Sequence, residues 1–322
     1  MIATRAGWLL AAVLAVHAAS ALAQPYPSRP IRLVVGFTPG GGTDIMARLI
    51  ASKLPDVLGQ PVVVENRPGA ATNIANEMVA RSAPDGYTLL VCTSVVAINM
   101  ALYKKLPFDT VRDFAPVSLF ADAPNVLVVH NGVAARTVEE LVALARAKPG
   151  VLNYSSAGSG TSQNMSGELF KLRTGTSIVH VPFKGTAPSL TAVMGGEVDM
   201  TFANIPAILQ HVKAGRLRPL ALSGERRSEL MPDVPTIREA GVPDGAVGVW
   251  YGVLAPATTP RSIVDTLAGA VAKIAHSPEM RQRLAEQGAE AVGSTPEEFG
   301  KLLREEVARW TEVVNAAGIR VD

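Results

Sequence analysis

Short β-branched, apolar runs alternate with helical stretches along almost the whole chain, and that alternation narrows the fold more than any other feature. Ile31 to Phe37 reads as a buried strand. Pro39-Gly40-Gly41-Gly42 breaks it, and Thr43 or Asp44 is placed to cap a helix whose Met46, Leu49, Ile50 and Leu54 share one face. Pro61 to Glu65 is a second strand, a helix runs from about Asn73 to Ser82, and Tyr87 to Cys92 is a third strand. Further strands are expected at Asn125 to His130, Val151 to Ser155, Ser177 to Val181, Val198 to Ala203 and Arg218 to Ser223. Helices fall between them, among them one capped by Thr137 with Glu140 three residues on as a capping box. The tail keeps Phe299, Leu302, Leu303, Val307, Trp310, Val313 and Val314 on one helical face. Such alternation requires right-handed crossovers and predicts a largely parallel α/β architecture. One large doubly wound sheet and two smaller sheets satisfy it equally. The Pro-rich stretch from Met231 to Pro243 reads as a long connection.

The N-terminus carries an export pattern. Arg5 supplies a positive start, Gly7 to Leu22 contains no Asp, Glu, Lys or Arg, and Ala21-Leu22-Ala23 offers small residues for cleavage after Ala23. Residues 1–23 are therefore expected to be a signal peptide and the protein to work in the periplasm. No cysteine stands at the cut to take a lipid. The formal net charge is +2, with no block of basic residues, which argues against nucleic acid or an anionic membrane as partner. The single cysteine, Cys92, lies in an apolar run and reads as a small buried hydrophobe.

Chemistry is expected on the loops that leave strand ends. The first, Phe37 to Asp44, brings three consecutive glycines to a helix start, where free N–H groups favour an anion. It has neither the dinucleotide-binding spacing nor the Lys-Ser/Thr of a P-loop. The second is Thr93 to Asn99 and the third Ser155 to Gln163, both rich in small hydroxyls. Hydroxyls and amides suit a carboxylate because they donate hydrogen bonds without adding a buried charge. Two further segments, Val181 to Gly185 and Phe202 to Pro206, also leave strands. In open α/β sheets ligands sit beyond the carboxyl ends of strands. Trp250 and Tyr251 fit either a cleft wall or the core.

Catalytic patterns are weak. His17, His130, His180, His211 and His276 form no metal-binding spacing, and no serine sits in a nucleophile elbow. Neither a metal nor a cofactor is expected, and the chain reads as a non-enzyme. The one enzymatic alternative, an exported hydrolase or lyase, rests on His180 acting with Ser159 or Ser162.

Ordered segments then carry a family resemblance: Tyr26 to Ile31; Pro39-Gly40-Gly41 with Asp44 and Ala47-Arg48; Val64 to Ala70; Asp85 to Leu89; Gly158 to Thr161; Val181 to Gly185; Gly195 to Asp199; and Trp250-Tyr251-Gly252 leading to Ala255-Pro256. In order and spacing the chain resembles the Bug, or TctC-like, periplasmic receptors of tripartite tricarboxylate transporters. The resemblance implies a two-lobed, type II periplasmic-binding-protein-like α/β fold, two Rossmann-like lobes joined by a two-strand hinge. Residues 24–124 with 245–322 form one lobe under this reading, and residues 125–244 the other. It implies a small organic acid or amino-acid-like ligand in the interlobe cleft, membrane permease subunits as partner, and a monomer. A sensory subunit serving a membrane kinase is the alternative. Carried over by position, the first-lobe contacts are Phe37, Pro39, Gly41, Asp44, Thr93 and Ser94, and the second-lobe contacts Gly158, Thr161, Ser162, Lys184, Gly185 and Asn204. Gln163-Asn164 stand where the family often has His-Leu, and Phe183 replaces a common Tyr.

Overall fold

The computed structural model describes residues 26–40, 42–183, 185–224, 226–245 and 247–319. The export segment expected at residues 1–23 lies outside them, as do Gly41 and Lys184 of the expected contacts. In chain order the strands are β1 (Ile31–Val35), β2 (Val62–Asn66), β3 (Thr88–Thr93), β4 (Phe114–Ala123), β5 (Asn125–His130), β6 (Asn153–Ser156), β7 (Val179–Pro182), β8 (Met200–Asn204), β9 (Leu217–Leu222), β10 (Val249–Pro256) and β11 (Glu290–Ala291). The helices are α1 (Gly42–Ala51), α2 (Leu54–Leu58), α3 (Asn73–Ala80), α4 (Val95–Leu102), α5 (Val138–Ala147), α6 (Ser162–Thr174), α7 (Thr186–Gly195), α8 (Ile205–Lys213), α9 (Arg261–Ala275), α10 (Pro278–Glu286) and α11 (Pro296–Ala317).

The strands form two sheets, ordered β11-β4-β10-β3-β1-β2 and β7-β6-β8-β5-β9. Neither is largely parallel, as alternation alone predicts. β1 pairs parallel with β2 and β3, and β6 with β7 and β8, but β10 and β4 run antiparallel in the first sheet, as do β5 and β9 in the second. Apart from the two-residue edge strand β11, every antiparallel pair involves a strand that carries the chain between sheets. β4 ends at Ala123, Pro124 interrupts, and β5 begins at Asn125. Proline gives no ladder N–H, which favours a break here, whereas β4 and β9 carry Pro116 and Pro219 within a sheet only at register shifts. The return passes through residues 223–248, which contain the Pro-rich connection.

Strand register fixes where these passages lie. Thr93, the last residue of β3, faces Tyr251 near the start of β10, and Val249 faces Ala123. On the other side of Pro124, Asn125 faces Asn204, the last residue of β8. The carboxyl ends of β3 and β8 therefore flank the same crossover, one in each sheet. Asn125 stitches the passages together, its Nδ2 donating to Val247 O at 2.9 Å.

Each sheet has apolar layers on its faces, and one further cluster joins elements from both sides of the crossover. Ala97, Ile98 and Leu102 of α4, Met165 and Leu169 of α6, and Trp310, Val313 and Val314 of α11 pack as one buried group. The amphipathic tail is thus a brace rather than an appendage. Its start is a full capping box, Thr295 with Glu298, whereas at α5 Thr137 caps Glu140 N but the Glu140 carboxylate takes the N–H of Arg136 instead.

Helix α4 occupies much of what the sequence suggests is the second loop. Val95 and Val96 are poor helix formers, but every residue from Val95 to Asn99 is buried, and burial overrides so small a propensity. Cys92 is buried as expected, its Sγ 3.5 Å from Gly252 O, and burial pushes the thiol pKa up.

Trp310 is fully buried and donates its indole N–H to Glu306 at 3.0 Å. Trp310→Ala is expected to destabilise the protein by about 3–5 kcal/mol through the cavity it leaves. Urea unfolding followed by circular dichroism measures this, and a loss below about 1 kcal/mol would contradict the bracing role.

Candidate functional site

Five helices begin where strands end at the carboxyl edges: α1 follows β1, α4 follows β3, and α6, α7 and α8 follow β6, β7 and β8. Helix N-termini carry unpaired N–H groups and a partial positive charge. Because β3 and β8 flank one crossover, these starts open toward it from both sheets. That topology suits an anion better than it suits any side-chain chemistry found nearby.

The first loop is organised by a buried carboxylate. Asp44 is 2 % exposed. Its Oδ2 accepts from Gly40 N and from Arg48 Nε, both at 2.9 Å, and its Oδ1 accepts from Asn66 Nδ2 at 2.8 Å. The hydrogen bond from Arg48 is the main cause that brings the Asp44 pKa down to about 2. Asn66 also donates to Phe37 O at 3.0 Å and accepts from Arg48 Nη2 at 3.0 Å. Asn66 thus joins β2, the first loop and α1. Sequence reasoning used it only as part of the segment Val64 to Ala70 and assigned it no role. Phe37 is half-buried and Pro39 exposed. Phe37 and Thr93 line a cavity of about 10 Å³ with Thr72 and Asn76, room for one water at most.

At the end of β3, Thr93 Oγ1 accepts weakly from Val95 N at 3.4 Å. Ser94 is 1 % exposed, and its Oγ has no partner among the described residues. Across the crossover, Asn204 caps no amide of α8 and its buried Nδ2 is likewise unpartnered among the described residues. Asn125 Oδ1 at the crossover and Asn99 Oδ1 in α4, both acceptors, are buried without a partner among the described residues too. A buried polar atom without a partner costs about 1–3 kcal/mol, so these four atoms mark a polar place for a guest.

The third loop is held from within. Ala157 N donates to Gln163 Oε1 at 2.6 Å, Gly158 N to Ser156 Oγ at 3.1 Å, Gly160 N to Asn164 Oδ1 at 3.0 Å, and Thr161 N to Gly158 O at 3.3 Å. The reading that this loop grips an anion with its amides applies therefore to few of them. Thr161 is the N-cap of α6, its Oγ1 accepting from Asn164 N and donating to Gly158 O at 2.7 Å. Ser162 is buried at the first turn. Gly185 donates its N–H to Ala157 O at 3.2 Å, so the loops after β6 and β7 are joined. Gln163 and Asn164, two of the three positions where the sequence reading expects a departure from the family pattern, hold Ala157 and Gly160.

The two halves touch here. A Cβ on Gly160, whose φ is +78°, would come within 2.8 Å of Leu102 Cδ1 in α4, and Asn99 Oδ1 lies beyond. The absent side chain lets the third loop close onto the helix that follows β3. A second approach brings Gly288 against Ile205 at the start of α8, and Arg226 pairs with Glu290 at 2.7 Å beside it.

The histidine pairing that supports an enzymatic alternative is not formed. His180 Nε2 lies 2.7 Å from Ser156 Oγ, not from Ser159 or Ser162. Ser156 is fully buried and also bonded to Gly158, so it anchors the loop and offers no reachable nucleophile. Burial pushes the His180 pKa down, and its ring stacks on Tyr154 at 4.8 Å. Both aromatics left open by sequence are buried in the core, Trp250 edge-on against Phe299 and Tyr251 against Phe120, with the Tyr251 hydroxyl 3.6 Å from where a Cβ on Gly42 would stand at the start of α1. A larger groove of about 300 Å³, lined by His130, Lys148 and Asp199 among others, lies at the opposite end of the second sheet. Among the described residues there is no cluster suited to a metal ion, and no helix long and apolar enough to cross a membrane.

Residues 46–319 match the family model described as the tripartite tricarboxylate transporter family receptor. Among curated proteins, BugT of Bordetella pertussis is 38% identical over 306 residues, 94% of this chain and 94% of that one. Among solved structures, Rpa4515 of R. palustris with adipate is 40% identical with a TM-score of 0.82, covering 92% of this chain and 99% of that one. MatC of Rhodopseudomonas palustris with bound malate is 34% identical with a TM-score of 0.79, covering 90% and 100%.

The Asp44 network has a pH signature. Its carboxyl titrates at about 2 in the folded protein, against about 3.9 in an unfolded chain. The stabilisation is therefore present above about pH 4 and lost as pH falls toward 2. Asp44→Asn is expected to be less stable than the wild type at pH 7 by on the order of 1–2 kcal/mol, discounted for the exposed Arg48. The gap should be mostly closed at pH 2, where the carboxyl is half protonated, and vanish below it in urea titrations, and a gap independent of pH would contradict the role.

Proposed function

The chain belongs to the tripartite tricarboxylate transporter receptor family, and from that premise we propose that it captures a small carboxylate between its two sheets and hands it to membrane permease subunits. The observation that carries the reading is that the unpartnered buried atoms able to donate among the described residues, Ser94 Oγ and Asn204 Nδ2, lie on either side of one crossover onto which helix N-termini open. Both can donate a hydrogen bond, and neither brings a charge. A carboxylate seated there exchanges water for fixed dipoles in a drier site, where each hydrogen bond is stronger. Carboxylates bound in relatives of this chain, adipate in one and malate in another, are chemically matched to such a site.

The contacts under this proposal are Phe37, Pro39, Gly41, Thr93 and Ser94 from one side, and Gly158, Thr161, Ser162, Lys184, Gly185 and Asn204 from the other. Asp44 acts at one remove, by fixing Gly40 and Asn66. The proposal divides the chain into a first lobe of residues 24–124 and 245–322 and a second of residues 125–244, hinged at Pro124 and at the return near Val247. Capture is then closure of the lobes without chemistry on the ligand, in the manner of hinged binding proteins. The protein acts as an exported periplasmic monomer, its export segment removed after Ala23. Permease subunits recognise the closed form.

Isothermal titration with adipate, succinate and malate tests the reading. At least one is expected to bind, and Ser94→Ala and Asn204→Ala are each expected to weaken it by about tenfold or more, the worth of one desolvated hydrogen bond. The melting temperature of the free protein should hold or rise, because each change removes an unpaired buried polar atom. Tight binding that survives both substitutions would contradict the proposed site.

A further inference from the structure

Gln163 is the second residue of α6, beside the proposed ligand site. It is 3 % exposed. Its Oε1 accepts from Ala157 N at 2.6 Å, and its Nε2 donates to Thr186 Oγ1 at 3.3 Å, at the first position of α7. The carboxamide therefore bridges the loop after β6 and the helix start after β7. Both segments belong to the contact set proposed above. A carboxamide oxygen on a backbone N–H is chemically what a ligand carboxylate oxygen would be on the same N–H. Here the chain supplies that acceptor itself.

Its neighbour works differently. Asn164 takes Gly160 N–H, donates to the Tyr154 hydroxyl at 2.9 Å, and belongs to a buried network that continues through Glu168 to Lys171. Removing Asn164 breaks that network. Removing Gln163 frees one amide, one hydroxyl and the volume of the carboxamide, and touches nothing further among the described hydrogen bonds.

Resting on the carboxylate reading, we propose that Gln163 is a specificity-determining residue that limits ligand length, by filling from within the chain the space between the third loop and the N-terminus of α7. Shortening it extends the site on the second-lobe side toward Ala157 and Thr186. A ligand with one or two more methylenes then reaches those donors with its far carboxylate. The cost of freeing Ala157 N–H is met by that carboxylate only when the ligand is long enough, so the gain is selective by length.

The test uses the full folded chain and the straight-chain dicarboxylates from succinate to suberate, titrated calorimetrically against wild type, Gln163→Ala and Gln163→Met. Gln163→Ala is expected to move the preferred length up by at least one methylene and to improve the longer acid by about tenfold relative to wild type. Gln163→Met fills the space without the hydrogen bonds and is expected to keep the wild-type optimum. Binding by the wild type with a parallel loss, or no change, in Gln163→Ala overturns the role of Gln163 alone. Failure of the wild type to bind any member overturns the carboxylate reading and with it the length limit. Hydrogen exchange of the ligand-free protein tests the contact separately. The Ala157 amide is expected to exchange at least about a hundredfold faster in Gln163→Ala, with Gly158 and Gly160 unchanged, and an unaltered Ala157 rate overturns it.

Discussion

Everything about this site depends on strand direction at one proline. The chain leaves the first sheet at Ala123 and enters the second at Asn125, and the neighbours of those residues, across Val249, Tyr251 and Asn204, bring the carboxyl ends of β3 and β8 to the same place. Parallel strands followed by helices put the starts of α1, α4, α6, α7 and α8 on that edge. A sheet pair joined at the opposite end would offer helix C-termini and carbonyls, which suit a cation. The chemistry of the guest is thus set by topology before any side chain is considered.

The side chains then divide into those that hold the loops and those left to bind. Asp44, Asn66, Ser156, Gln163 and Asn164 commit their hydrogen bonds to loop backbone and to neighbouring side chains. Ser94 and Asn204 do not. A loop fixed in advance loses little entropy when a ligand arrives, which is the physical advantage of using polar side chains on the loops' own amides. The apolar group formed by α4, α6 and α11 sits on one flank of the crossover, and the Gly288 approach and the Arg226–Glu290 pair on another. An exposed ion pair is a weak bond, while a dry cluster around Trp310 is a strong one, so separation of the halves should begin at the ion pair and turn about the cluster.

The helix starts after β1, β6 and β8 were legible because Gly, Thr, Ser and Asn next to apolar runs are capping and turn signals with a local cause. The family pattern was legible for the same reason, since its segments are mostly these turns. Antiparallel β4 and β10 were not, because strand direction is set by pairing partners far away in sequence and leaves no local period. Helix α4 was hidden by Val95 and Val96, whose β propensity is outweighed only once the packing against α11 is known. Asn66 and Ser156 were missed as positioning residues, since nothing in a lone Asn at a strand end or a Ser in a strand reveals which loop it meets. Gln163 and Asn164 were noticed as departures from a pattern, but the amides they occupy became identifiable only with coordinates.

The central claim is that loops from both sheets meet around one carboxylate. Hydrogen–deuterium exchange with and without saturating adipate tests it most directly. The account predicts that adipate slows exchange together at residues 37–40, 94–97, 159–163 and 205–208, with no change around His130 and Lys148. Protection confined to one sheet's loops, or centred on the distant groove, would contradict it.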